Sequence, residues 1–219
     1  QGFQGNLTAN EILNQFRSLP EHDSLTNIVF MGMGEPLDNL EEVLGSLDIL
    51  TSDWGYGWSP SRITVSTVGI AGKINEFLER SRVHLAVSLH SPFDEERQRL
   101  MPVQKAHPLR EILDTVRGFD FGRQRRVSFE YIVFRGMNDT PAHAKELARI
   151  LNGIRCRINL IRFHPIPGSD YSSPDQAGME TFRDSLTAKG IITTIRASRG
   201  LDISAACGLL STLEQNKTK

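Results

Sequence analysis

The feature that most constrains this chain is an alternation. A short β-branched or apolar run, a Gly- or Pro-rich turn and a helix with apolar spacing of three and four recur along its length. Runs at Asn27–Met31, Arg62–Ser66, His84–Ser88, Val127–Phe134 and Arg157–Phe163 carry Val, Ile or Phe between breakers and predict buried parallel strands, with Ile191–Ile195 as a final one. Helical spacing covers Thr8–Ser18, Leu40–Thr51, Ala71–Arg80, Leu109–Gly118, Pro141–Leu151 and Met179–Lys189. The caps agree: Thr8 and Asn10 are side chains that start helices, Thr140-Pro141 is a cap followed by Pro at the first helical position, and Gly190 ends the last helix. Strand and helix alternating in this way predict an α/β fold with parallel strands and outer helices. Because a helix precedes the first visible strand, a strand ahead of it is expected to be missing. The start at Gln1-Gly2-Phe3, without Met, points the same way.

Length and composition narrow the rest. With 219 residues, 39% of them hydrophobic and 23% charged, residues 1–219 are expected to form one globular domain. No stretch approaches the roughly 18 apolar residues of a membrane span, and no signal peptide opens the chain, so a cytoplasmic protein with no membrane partner is expected. The two cysteines, Cys156 and Cys207, lie too far apart for a disulfide framework or a cysteine-ligated metal site, and no metal ligands are assigned. Cys156, within a strand, reads as a buried small hydrophobe. Lys and Arg number 25 against 26 Asp and Glu, a net charge of −1, so any contact with RNA must come from local patches. Arg123–Arg126 and Arg155–Arg157 precede their strands and belong at the barrel bottom as solvated groups. Arg97, Arg99, Lys105, Arg135, Arg162 and Arg199 are the expected RNA contacts. The aromatics of the loop Asp53–Pro60 are expected to pack it onto the barrel.

In parallel β/α barrels, functional groups project from the carboxyl ends of the strands. Here those ends read Met31-Gly32-Met33-Gly34-Glu35-Pro36-Leu37, Ser66-Thr67-Val68-Gly69, Ser88-Leu89-His90-Ser91-Pro92 and Phe163-His164-Pro165-Ile166-Pro167-Gly168. Taken singly each could be a turn or a backbone cap. Together, and in this order, they resemble the radical S-adenosylmethionine (SAM) adenosine methyltransferases that act on ribosomal RNA. The likeness runs nearly to Leu213. It includes Arg99-Leu100-Met101-Pro102, Phe129-Glu130-Tyr131, Gly136-Met137-Asn138-Asp139 and Arg199-Gly200-Leu201-Asp202-Ile203-Ser204-Ala205-Ala206-Cys207-Gly208.

What the resemblance implies is specific. The fold would be a partial (β/α)6 radical SAM barrel. Gly34 and Glu35 would line the site for the amino-acid part of SAM, whose ammonium needs oxygen acceptors. Ser66 and the segment Ser88, Leu89 and His90 would supply hydroxyl and backbone groups to its nucleoside, as would His164, which stands where related adenine-C2 enzymes have Asn. Cys207, in the Ala-Ala-Cys-Gly segment, would carry the methyl group. Carbon 2 of adenine, between two ring nitrogens, is too electron-poor to attack SAM directly. In the family a methyl on that cysteine becomes a carbon radical and adds to the base, and a second cysteine resolves the link as a disulfide.

The radical is generated at a [4Fe-4S] cluster held by three cysteines in a Cys-x-x-x-Cys-x-x-Cys loop, fed by an electron donor. No such motif occurs in this sequence. The cluster loop, first strand, resolving cysteine and N-terminal RNA-binding domain are expected to belong to a longer parent, and the chain alone is expected to be inactive. In that parent the substrate would be an adenine of 23S ribosomal RNA, with transfer RNA as a second candidate. A C8-methylating relative and a non-catalytic SAM- or RNA-binding module are the alternatives. An aldolase- or hydrolase-like barrel fits worse, because no Schiff-base lysine flanked by acids and no His cluster stands at the strand ends.

Overall fold

A computed structural model describes residues 5–123, 125–165 and 169–197. Their order is α1 (Ala9–Arg17), β1 (Ile28–Phe30), α2 (Leu40–Thr51), β2 (Ile63–Thr67), α3 (Ala71–Arg80), β3 (His84–Ser88), α4 (Asp94–Leu100), α5 (Leu109–Gly118), β4 (Val127–Val133), α6 (Pro141–Ile150), β5 (Cys156–Arg162), α7 (Gln176–Thr187) and β6 (Ile192–Ile195). All six strands run parallel in the order β1 to β6. Flat, such a sheet would hold its outer strands about 24 Å apart at the usual strand spacing. Instead Arg196, just past β6, reaches the sulfur of Met31, just past β1, at 3.4 Å. The sheet therefore curls into a barrel whose bore is lined from both edges.

Alternation along each strand divides the side chains. Ile63, Val65, Leu85, Val87, Phe129, Tyr131, Ile158 and Leu160 point outward and are buried beneath the helices, which contribute Leu47, Phe77, Ile112, Leu147 and Phe182. Two predicted helix starts form as expected, while Asn10 lies inside α1 and α7 begins at Gln176, capped by Asp175, ahead of the expected Met179. Thr8 caps α1, and its capping box with Glu11 is closed in both directions; Thr140 caps α6, with Pro141 at its first position.

Three expectations need correction. The strands are not buried runs on both faces: Thr64, Ser66, Ser128, Glu130, Asn159 and Thr194 face the bore, so polar residues alternate with apolar ones. The loop before β2 is only partly packed, since Trp54 is 71% exposed while Trp58 joins the core and Tyr56 meets Phe16 edge to face. Finally, Arg125 is no solvated strand entrance. It lies among Phe77, Phe119 and Phe121, donates to the carbonyls of Leu78 and Val83 at 2.6 and 2.9 Å, and burial lowers its pKa to about 10.

Candidate functional site

The residues singled out from the strand ends all lie toward the carboxyl end of the barrel: Ser66 next to last in β2, Ser88 closing β3, and Gly34, Glu35, Leu89, His90 and His164 in the segments that follow β1, β3 and β5. Gly34 sits at φ 90°, a backbone conformation that side-chain-bearing residues rarely adopt. It turns the exposed loop after β1 so that Glu35 points back into the rim. Both oxygens of Glu35 accept backbone amides, Leu37 at 3.0 Å and Val68 at 2.7 Å, tying the β1 loop to the end of β2. Burial raises its carboxyl above the usual range, against the pull of those amides and the Thr67 hydroxyl.

Leu89 is buried and anchors its loop by donating its amide to the Glu130 carbonyl at 2.9 Å. His90 follows at φ 57°, the one non-glycine residue among the described residues with positive φ, in a tight turn closed from the Ser91 amide to the Leu89 carbonyl at 2.7 Å. Its Nδ1 accepts the Ile132 amide at 3.0 Å, so the neutral ring carries its proton on Nε2. Burial first, and the Arg97 charge second, lower its pKa to about 4 and keep it neutral at physiological pH.

Two residues reinforce this corner from behind. Asn138 is fully buried, donates to the carbonyls of His90 and Ile132 at 2.8 and 2.7 Å, and accepts the Phe134 amide at 2.8 Å. Its own carbonyl accepts the Tyr131 hydroxyl at 2.7 Å. Arg97, expected as an RNA contact, is instead wholly buried: its guanidinium bridges the carbonyls of Val68 and Ser88 at 2.9 and 3.0 Å and donates to the Gln104 side chain. Gln104 in turn donates to Asp94 at 2.7 Å. Sequence reading missed this brace because α4 had gone unrecognised. The signal was an acidic first turn, Asp94-Glu95-Glu96, followed by Arg97 and Arg99 in the last turn, the polarity a helix dipole favours.

The hydroxyls of Ser66 and Ser88 are half-buried and make no hydrogen bond with other described residues. Below them the bore forms a cleft of about 290 Å³, lined by Val29 and Met31 of the first edge, Thr194 and Arg196 of the last, and Ser128, Glu130 and Asn159 between. A second cleft of about 640 Å³ opens where β5 and β6 meet α7. His164 lines it with Arg162, Arg183 and Arg196, and no acidic side chain among the described residues does. Arg162 is held there by the Pro174 carbonyl and the Gln176 side chain, each at 2.6 Å. Of the other cations expected to meet RNA, Arg99, Lys105 and Arg135 are exposed, and Arg199 lies outside the described residues, as does Cys207.

The sequence contains two cysteines, one fewer than a three-thiolate cluster requires, so the chain's own residues do not fit a [4Fe-4S] group. Cys156 is a free thiol packed against the core, and burial raises its pKa to about 12, which suits a structural hydrophobe. The rim and bore do fit a small polar organic ligand, because two serine hydroxyls there have bonding capacity left over.

Fold and site together define a parallel β/α barrel that presents polar groups at the carboxyl ends of its strands. The chain belongs to the radical SAM superfamily, whose model matches residues 1–148. It is 63% identical over 212 residues to a probable dual-specificity RNA methyltransferase RlmN from Parabacteroides distasonis, a match covering 97% of this chain and 62% of that protein. To the dual-specificity RNA methyltransferase RlmN of Nautilia profundicola it is 45% identical, over 99% of this chain and 63% of the relative. The chain thus spans less than two thirds of the length of these relatives. Among solved structures, a radical SAM methyltransferase from Sphaerobacter thermophilus superposes with a TM-score of 0.88 at 41% identity, covering 95% of this chain and 63% of that one. A domain of a pyruvate-formate lyase-activating enzyme from Bacteroides vulgatus, at TM-score 0.58 and 21% identity, shares the fold alone. No helix among the described residues is long and apolar enough to cross a membrane.

Proposed function

We propose that this chain is the SAM-binding barrel of a radical SAM RNA methyltransferase that modifies C2 of an adenine in 23S ribosomal RNA, with transfer RNA as a second substrate. The observation that carries the reading is the convergence, at one end of one barrel, of Gly34 and Glu35, the unpartnered hydroxyls of Ser66 and Ser88, and the neutral ring of His90. The relatives' names supply the RNA methyltransferase class.

In this reading SAM supplies the methyl group. The Gly34–Glu35 segment receives its amino-acid end, Ser66 and Ser88 its polar edges, and His90 and His164 stand beside its nucleoside. Arg97 and Asn138 act behind the site as positioning residues, fixing the backbone from which Ser88 and His90 project. Cys207, in its Ala-Ala-Cys-Gly segment, is the methyl-carrying thiol. The acid-free cleft beside Arg162 and Arg183 accepts RNA phosphates, where guanidinium groups are the suited donors. The iron-sulfur chemistry of the family lies with residues this sequence does not contain, and this chain alone is catalytically inactive.

The test is direct. SAM and S-adenosylhomocysteine are titrated into the chain by calorimetry; binding is expected, with Ser66→Ala and Ser88→Ala each weakening it about five- to tenfold, as the loss of one hydrogen bond implies. Failure of the wild-type chain to bind either compound at millimolar concentration would overturn the reading. In a full-length protein carrying this barrel, Cys207→Ala is expected to abolish methylation of ribosomal RNA.

A further inference from the structure

Inside the bore, below the rim, lies a hydrogen-bonded row that the proposed site does not yet use. Thr194 donates to Asn159 Oδ1 at 2.7 Å; Asn159 Nδ2 donates to Glu130 Oε1 at 2.7 Å; Ser128 donates to that same Glu130 oxygen at 3.0 Å. The row crosses β6, β5 and β4 and ends on a carboxylate that is only 4% exposed. Its other oxygen, Oε2, has no hydrogen-bond partner among the described residues. The nearest cation, Arg196 Nη1, stands 4.0 Å away and is directed at the Met31 sulfur instead. An unsatisfied carboxylate oxygen at this depth is costly unless something donates to it.

Register places Glu130 within the bore. Glu130 pairs with Ser88 across β3 and β4, on the same bore-facing side of the sheet, one strand spacing of about 4.8 Å apart. Two residues with acceptor capacity to spare, Glu130 in the cleft wall and Ser88 on the next strand, thus share one level of the bore. The cleft wall carries Arg126, Arg157 and Arg196, and Glu130 is its one acidic residue among those described. A neutral hydroxyl donor meets no charge repulsion from these guanidinium groups.

We propose that Glu130 is a ligand-positioning residue: its free Oε2 accepts a hydrogen bond from one of the two neighbouring hydroxyls of a ribose, with Ser88 taking the other. The proposal rests on the bore being the SAM site. It adds to that site a residue whose function is to recognise the sugar.

The experiment compares adenosine with 2′,3′-dideoxyadenosine as probes, titrated into the folded chain by calorimetry or ligand-observed NMR, alongside SAM itself. Wild type is expected to prefer adenosine about tenfold, equivalent to about 1.4 kcal/mol. Glu130→Gln should reduce the preference to about twofold while still binding the purine. Should that variant not fold, Glu130→Asp, which withdraws the carboxylate by one methylene, carries the same expectation. Arg196→Gln leaves Glu130 in place and should retain the tenfold preference; its loss would mean that Glu130 serves only as the partner of Arg196, and would overturn the proposal. Equal affinity of wild type for the two nucleosides, or a preference unchanged in Glu130→Gln, would also overturn it while SAM binding stood. If wild type binds neither SAM nor adenosine, the reading of the site fails first and the proposal with it.

Discussion

The guanidinium of Arg97 donates to the carbonyl of Ser88 at 3.0 Å from a position with no solvent exposure. A charged side chain is thereby used as a backbone clamp, joining the ends of β2 and β3 through Val68 and Ser88. Arg97→Met keeps much of the volume but leaves both carbonyls and the Gln104 oxygen short of a donor. Chemical denaturation should show a loss of about 3 kcal/mol, the scale for breaking a buried charged network. Affinity for RNA per folded molecule, and its salt dependence, should be unchanged. A steeper fall of RNA affinity than of stability would restore Arg97 to the phosphate contacts.

Asn138 gives a second stability prediction. Its side chain satisfies three backbone groups on two segments, and Asn138→Ala orphans all of them at once. The expected cost is about 2–4 kcal/mol. SAM binding should weaken as well, because the His90 turn loses its tether. A variant as stable as wild type would remove Asn138 from the positioning role.

His90 predicts a pH dependence. Its folded pKa of about 4 lies below the ordinary histidine value, so the fold favours the neutral ring. The resulting stability is fully present above about pH 6.5 and is lost as pH falls from there toward 4. At most about 3 kcal/mol rides on this one group. His90→Asn tolerates the positive φ and does not titrate, so its stability should fall less steeply between pH 6.5 and 4.5 than that of wild type. Parallel curves would contradict this account of the ring.

Cys156 should be inert. In a Cys207→Ser background, with its thiol pKa raised to about 12, alkylation at pH 8 should be far slower in the native protein than in denaturant. Cys156→Ala should cost about 1 kcal/mol and leave SAM binding intact. Rapid native labelling would mean that the thiol is more accessible than its packing implies.

The alternation of apolar runs and amphipathic helices made the parallel fold legible, and the caps at Thr8 and Thr140 located two helix starts to within a residue. The candidate site was legible because its groups follow the runs directly. What escaped was set by three-dimensional register. Ser128, Glu130 and Asn159 sit within runs rich in Val, Ile and Phe, and only the sheet's curl turns their side of each strand toward a bore instead of a second helix layer. Arg97 escaped for another reason: an arginine in a seven-residue helix reads as solvated until two open carbonyls come within its reach. Trp54 shows the opposite failure, a large aromatic expected to pack that stays in solvent.

Ser66, Ala86 and Ser128 occupy one level of neighbouring strands, where many β/α barrels place bulky branched plugs. On β5 the same level is held by Arg157, which lines the cleft, so apolar cohesion is concentrated in the sheath between sheet and helices. A molecule entering the lumen then acts as missing core. Ligand affinity and resistance to unfolding become two readings of one quantity, and the melting temperature of this chain should climb with the concentration of whatever fills it.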